Sequence, residues 1–176
     1  MNIRLVTSGE PVAALWWALQ EHPELWDTVN ARTAPEDSPH HGTSDIYVRY
    51  SKKDPRDPEM HDSEWYPAAD VLPVRPLISR LMAAMGGERL GGVLITRIPP
   101  GGSVNPHLDG HWHAGYYEKF GIQIASAPGQ AFCFDGEQLV TKPGDVFWFD
   151  NSHTHWVTNE SQHERITLIV TLKRGI

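Results

Sequence analysis

The sequence predicts a mainly β protein, a sandwich or barrel of short strands with helices at its amino-terminal end. After Gly91 the chain breaks into seven short apolar or alternating runs separated by Gly, Pro, Asp and Asn. Before Gly91, apolar residues recur at helical spacing in two places. The chain has 176 residues, long enough to bury a core without disulfides or a structural metal. Residues 1–176 are therefore expected to form a single domain, with 1–90 supplying helical cover, an edge strand and a lid-like excursion, and 91–176 the β core.

In chain order, Val12, Leu15, Trp16 and Leu19 fall at i, i+3, i+4 and i+7 behind Pro11, which predicts an amphipathic helix near 11–21. Leu25, Trp26 and Val29 suggest a second short helix after Pro23. Ala34 to Gly42 is dense in turn formers and reads as an exposed loop, with His40 and His41 as a solvated pair. Asp45 to Tyr50 alternates as a half-buried strand. Ser51 to Pro76 is charged and proline-bearing, a long surface excursion of the kind that forms lids. Leu77, Ile78, Leu81, Met82 and Met85 then mark a helix that ends at Gly86-Gly87. The β runs are Val93 to Ile98, Phe120 to Ala125, Ala131 to Phe134, Leu139 to Thr141, Val146 to Phe149, His155 to Thr158 and Ile166 to Leu172. Asp135-Gly136 suits a hairpin turn and Pro143-Gly144-Asp145 a second reversal.

Composition narrows the function classes. A formal charge of −7 with no basic stripe disfavours nucleic acid and acidic membranes as partners. Cys133 is the only cysteine and lies in an apolar run, as expected of a buried thiol in a reducing compartment. The amino terminus lacks the apolar core of a signal peptide, and nowhere do eighteen apolar residues follow one another. A cytoplasmic, soluble protein is expected.

The chemistry concentrates in two places. Following a strand and the turn Pro99-Pro100-Gly101-Gly102, the run Pro106-His107-Leu108-Asp109 places His107 and Asp109 at i and i+2, on one face of an extended backbone. Beyond the intervening strands comes Asn151-Ser152-His153-Thr154-His155, and Arg165 follows ten residues after His155. Two imidazoles and one carboxylate with open coordination positions are the ligand set of a non-haem Fe(II) oxygenase. An arginine inside a β-barrel pocket suits a dicarboxylic acid. Strand alternation does not separate His153 from His155, but Asp150-Asn151-Ser152 is a turn cluster, so His155 lies further into the barrel.

From Thr96 to Arg165 the chain resembles the aspartyl/asparaginyl β-hydroxylase family of Fe(II)- and 2-oxoglutarate-dependent dioxygenases. The resembling segments are Pro100-Gly101, Pro106 to Asp109, Pro143 to Asn151, His155 to Asn159 and Arg165. The resemblance implies a double-stranded β-helix, the cupin-like jelly roll, with amino-terminal helices packed on one sheet. It implies Fe(II) held by His107, Asp109 and His155, 2-oxoglutarate as cosubstrate, and O2. Arg165 matches the family's residue for the distal carboxylate of 2-oxoglutarate, with Thr96 beside it. Many family members also carry an Arg-x-His pair on the strand after His-x-Asp, whereas here Gly121 and Gln123 occupy those positions. Gln123 is expected to meet the cosubstrate through its amide alone. The reaction implied is hydroxylation of a small-molecule, amino-acid or peptide side chain with release of succinate and CO2. His111, Trp112, His113 and Trp156 cluster in sequence around the mouth and are candidates for the substrate pocket.

Other classes fit less well. A non-oxidative metal-binding cupin, whether isomerase or binding protein, needs no arginine for a dicarboxylate. A zinc hydrolase lacks its His-Glu-x-x-His helix here. A nucleic-acid demethylase of the same iron chemistry calls for a basic face.

Overall fold

A computed structural model describes residues 1–53 and 62–175. In chain order the elements are β1 (Ile3–Thr7), α1 (Ala13–Glu21), a 3-10 turn at Pro23–Leu25, β2 (Ser44–Tyr50), β3 (Glu64–Trp65), α2 (Ala68–Val71), α3 (Arg75–Met85), β4 (Gly87–Ile98), β5 (Ser103–His107), α4 (His111–Tyr116), β6 (Glu118–Ala125), β7 (Gln130–Phe134), β8 (Glu137–Leu139), β9 (Val146–Phe149), β10 (His155–Asn159) and β11 (Arg165–Arg174). The strands form a seven-stranded sheet in the order β1-β9-β6-β11-β4-β2-β3 and a four-stranded sheet in the order β5-β10-β7-β8. Every pairing between them is antiparallel. This is the jelly-roll architecture that the family resemblance implied.

Period-two alternation divides the large sheet into two unlike faces. On β11, Ile166, Leu168, Val170 and Leu172 join Phe120, Ile122 and Ile124 of β6 and Val93 and Ile95 of β4 in one apolar core. Leu15 and Leu19 of α1, and Leu77, Ile78 and Leu81 of α3, close that core from outside. The opposite face meets the small sheet through a second cluster containing Ile98, Phe132, Phe134, Phe147, Phe149 and Val157. That inner face also carries Thr96, Gln123, Arg165 and Thr167, all buried.

Helix α3 ends where Gly86 takes a left-handed conformation, φ 64°, at no Cβ penalty. Gly136 does the same in the tight turn between β7 and β8, φ 72°. Because that turn is so tight, β8 begins at Glu137, two residues before the expected start at Leu139.

Several elements differ from expectation. Ile3–Thr7 is a strand that pairs with β9, and β2 pairs with β4, so the first ninety residues contribute to the large sheet as well as covering it. β5 contains Pro106 yet forms a strand, because it lies at the edge of the small sheet where the missing N–H breaks no ladder. Within the Ser51–Pro76 excursion, residues 54–61 lie outside the described residues, and the remainder carries β3 and α2. Among the described residues no helix is long and apolar enough to cross a membrane.

Candidate active site

The register of β10 against β5 sets His155 directly opposite His107, and their rings lie 4.4 Å apart. Asp109 follows two residues beyond the end of β5. One ligand atom from each of His107, Asp109 and His155 lies within 4.8 Å of the other two. His107 Nε2 is 3.9 Å from Asp109 Oδ1, and His155 Nε2 is 3.8 Å from Asp109 Oδ2. Each imidazole is clamped from behind: Nδ1 of His107 donates to the Asn105 carbonyl and Nδ1 of His155 to the His153 carbonyl, both at 2.8 Å. This tautomer leaves each Nε2 lone pair pointing at the common centre. Phe132, Phe134 and Phe149 pack around the His155 ring.

The three side chains are held in the protonation states that a metal ion requires of its ligands. Burial pushes the pKa of His107 and His155 down, outweighing the backbone hydrogen bonds and Asp109 that favour protonation, so both rings stay neutral and able to ligate. Burial raises the Asp109 pKa, but the Lys119 ammonium outweighs it and holds the carboxyl below its ordinary range. Lys119 Nζ donates to Asp109 Oδ2 at 2.5 Å. His153, the other histidine of the motif, is 58% exposed and pairs with Asp150.

A cleft of about 520 Å³, open mouth included, runs inward from these three residues. Arg165 lines it, 3% exposed. Its Nη1 donates to Thr167 Oγ1 at 2.7 Å, while Nε and Nη2 have no partner among the described residues. Burial, with no carboxylate opposing it, brings its pKa down to about 10. The guanidinium is therefore charged at neutral pH, with two donors directed at no protein acceptor. Thr96 also lines the cleft, donating to Asp45 Oδ1 and accepting from Arg32 Nη2.

Three expectations are corrected. Gln123 does not line the cleft: its amide nitrogen donates to the Ala125 and Ile166 carbonyls at 2.7 and 2.9 Å, and its oxygen accepts from Thr141. A fully buried amide has first to satisfy itself, and the nearest groups are backbone. Trp156 lies on the other face of β10 from His155, as alternation requires, and lines a separate hollow with Cys133 and Glu137. His40 is not a solvated loop residue: its ring packs edge-on against His107 at 4.8 Å and lies 3.3 Å from Arg32, while His41 is exposed.

The remaining candidates sit on or near α4. His113 lines a second hollow of about 480 Å³ that adjoins the first and shares Arg32, His40, Asp109, Lys119 and Ile169 with it. Trp112 lines neither and packs against His113, Tyr116 and Tyr117. The side chain of His111 lies outside the described residues.

Sequence reasoning missed Arg32 and Lys119. Arg32 binds Asp45 through two parallel bonds of 2.8 Å, a loop-to-strand pairing with no local pattern. Lys119 was legible, since it lies two and four residues before Gly121 and Gln123 and so shares their face.

The aspartyl/asparaginyl beta-hydroxylase family model matches residues 74–175, more than half of the chain. The protein belongs to this family. Two solved structures support the same fold for this hydroxylase-family member. A 2OG-Fe(II) oxygenase family oxidoreductase from Burkholderia pseudomallei is 16% identical with a TM-score of 0.56, covering 99% of this chain and 74% of its own. A prolyl-4-hydroxylase from Pseudomonas putida is 15% identical with a TM-score of 0.57, covering 99% and 93%. No curated protein matches the sequence.

Proposed function

We propose that the protein is an Fe(II)- and 2-oxoglutarate-dependent hydroxylase in which His107, Asp109 and His155 hold the iron and Arg165 binds the far carboxylate of 2-oxoglutarate. The observation that carries this reading is the buried Arg165 with two unpartnered donors, in the same cleft as a neutral His pair and a carboxylate. The donor set fits the ion, since two imidazoles and one carboxylate leave positions open for a bidentate keto acid and O2. A desolvated guanidinium fork fits a carboxylate in geometry and charge.

With Fe(II), 2-oxoglutarate and O2 bound, the chemistry supplied is oxidative decarboxylation to succinate and CO2 coupled to hydroxylation of a C–H bond. The protein's own work is placement. Arg165 and Thr167 orient the cosubstrate, and Thr96 shapes the cleft while tied to Asp45 and Arg32. Phe132, Phe149, Ile98 and Val157 keep the interior dry, which strengthens every charge interaction there. The second hollow, bounded by Tyr50, His113 and Asp109, receives the substrate, a small molecule, an amino acid or a peptide side chain.

The test is a succinate-release assay with Fe(II), 2-oxoglutarate and ascorbate across amino acids and peptides. Turnover by the parent and none by Asp109→Ala is expected. Iron binding with no affinity for 2-oxoglutarate would instead identify a non-oxidative cupin.

A further inference from the structure

The inner face of β6 reads Lys119, Gly121, Gln123, and two of these three positions have nothing to give a ligand. Gln123 is bonded to backbone and to Thr141. At Gly121 an added Cβ would lie 2.1 Å from the Phe147 ring, so the ring fills the space a side chain would take. The strand that carries the family's Arg-x-His pair therefore offers one functional group, Lys119. We propose that Lys119 is the second anion anchor of the cosubstrate, binding the carboxylate next to the metal from a position two residues earlier than the family's arginine.

The inference rests on the 2-oxoglutarate reading and on three observations. First, Lys119 lines both hollows and its side chain is 18% exposed, yet Asp109 is the one acceptor it has among the described residues. An ammonium carries three donors, so two are left for a ligand. Second, the nearby alternative cation is committed, since Arg32 is paired to Asp45 through both arms of its fork. Arg32 and Asp45 cancel. A divalent ion, Lys119 and Arg165 then stand against Asp109 alone, an excess of positive charge that a dianion relieves.

Third, the spacing suits a five-carbon diacid. Arg165, Thr167 and Ile169 line the first hollow and Ile169 and Thr171 the second, and Thr171 pairs with Lys119. Lys119 and Arg165 both line the first hollow, and six residues of strand, roughly 20 Å along the backbone, leave room between them for a five-carbon diacid, which needs roughly 12 Å when hydrogen-bonded at both ends. Lys119 thus has two tasks on one strand position: it holds the Oδ2 side of Asp109, and it meets the keto-acid end of the cosubstrate.

Dissecting the cosubstrate tests this without turnover. Mn(II)-loaded parent, Lys119→Met and Arg165→Met proteins, with metal content verified in each, are titrated calorimetrically. The probes are 2-oxoglutarate, 2-oxopentanoate (which lacks the far carboxylate) and 4-oxopentanoate (which lacks the near one). Lys119→Met should weaken 2-oxoglutarate and 2-oxopentanoate by the same factor, tens-fold or more, and leave 4-oxopentanoate unchanged. Arg165→Met should weaken 2-oxoglutarate and 4-oxopentanoate and spare 2-oxopentanoate. Lys119→Arg should recover much of the loss. Equal weakening of all three probes in Lys119→Met would show that the lysine acts only through the metal, and no weakening would show that it does not act at all. Either result overturns the proposal while Arg165-dependent binding still supports the function. A parent protein that binds no 2-oxoglutarate overturns both.

Discussion

The two faces of the seven-stranded sheet are built from the same strands and differ in nearly every other respect. Toward the helices, β6 and β11 present Phe120, Ile122, Ile124, Ile166, Leu168, Val170 and Leu172 without a polar interruption. One residue out of step, the same strands present Lys119, Gln123, Arg165, Thr167 and Thr171. Burying the first set is favourable at about 25 cal/mol per Å² of apolar surface. Burying Arg165 with two idle donors opposes folding, because a desolvated polar group without a partner costs about 1–3 kcal/mol or more. The helix-covered face therefore secures the fold, while the inner face carries buried polar groups, of which Arg165 keeps two donors without a protein partner. A protein of this design tolerates loss of its site better than loss of its cover.

The separation is strongest at the proposed metal ligands. His155→Ala and Asp109→Ala should each abolish stoichiometric Fe(II) binding and succinate release while the protein still folds, with Asp109→Ala melting lower than the parent because Lys119 loses its acceptor. His153→Ala, altering an exposed ring paired with Asp150, should keep the iron and at least part of the turnover. Metal analysis and a thermal melt on the three variants decide this, and a reversed pattern for the two histidines would reassign the ligand.

Arg165→Ala comes next. Removing one partner of a desolvated charge pair costs about 2 to 5 kcal/mol, or a tens- to thousands-fold loss of 2-oxoglutarate affinity. Without cosubstrate the same variant should be at least as stable as the parent, because an uncompensated buried charge has gone. A variant that loses stability but keeps cosubstrate affinity would erase the distinction between the faces.

On the helix side, Leu168 is fully buried. Leu168→Ala should lower unfolding free energy in denaturant by about 2–5 kcal/mol and leave metal and cosubstrate affinities unchanged below the transition. The smallest effect is expected at Trp156, on the outer face of β10 in a shallow hollow. Trp156→Ala should cost less than about 1 kcal/mol, and a fall in turnover would return that residue to the substrate pocket.

Much of this division is readable from alternation. Ile166-Thr167-Leu168-Ile169-Val170-Thr171-Leu172 announces a strand with one wholly apolar face, and His107-Leu108-Asp109 announces two ligands on one side. Less accessible was whatever depends on a partner distant in sequence. β5 hides behind Pro106 because its place at a sheet edge is a tertiary fact. His40 sits in a turn-rich loop, and only the fold brings its ring to His107. Gln123 occupied the expected strand and the expected face, yet its amide is satisfied by Ala125, Thr141 and Ile166, whose proximity the linear chain conceals. The outward position of Trp156 follows from the same alternation, since a neighbour of an inward-facing His155 must face outward.

The paired clamps behind the two imidazoles bear on how the proposed site would take up an ion. Each ring is fixed to the carbonyl two residues before it in its own chain, Asn105 for one and His153 for the other. Ordering a mobile side chain during association typically costs about 0.5–1.5 kcal/mol. Here that loss of rotational freedom is incurred once, when β5 and β10 zip together, and does not recur at each encounter with an ion. An ion stripped by a chelator from the proposed site should therefore return to two imidazoles already aimed, with only the Lys119–Asp109 pair left to adjust.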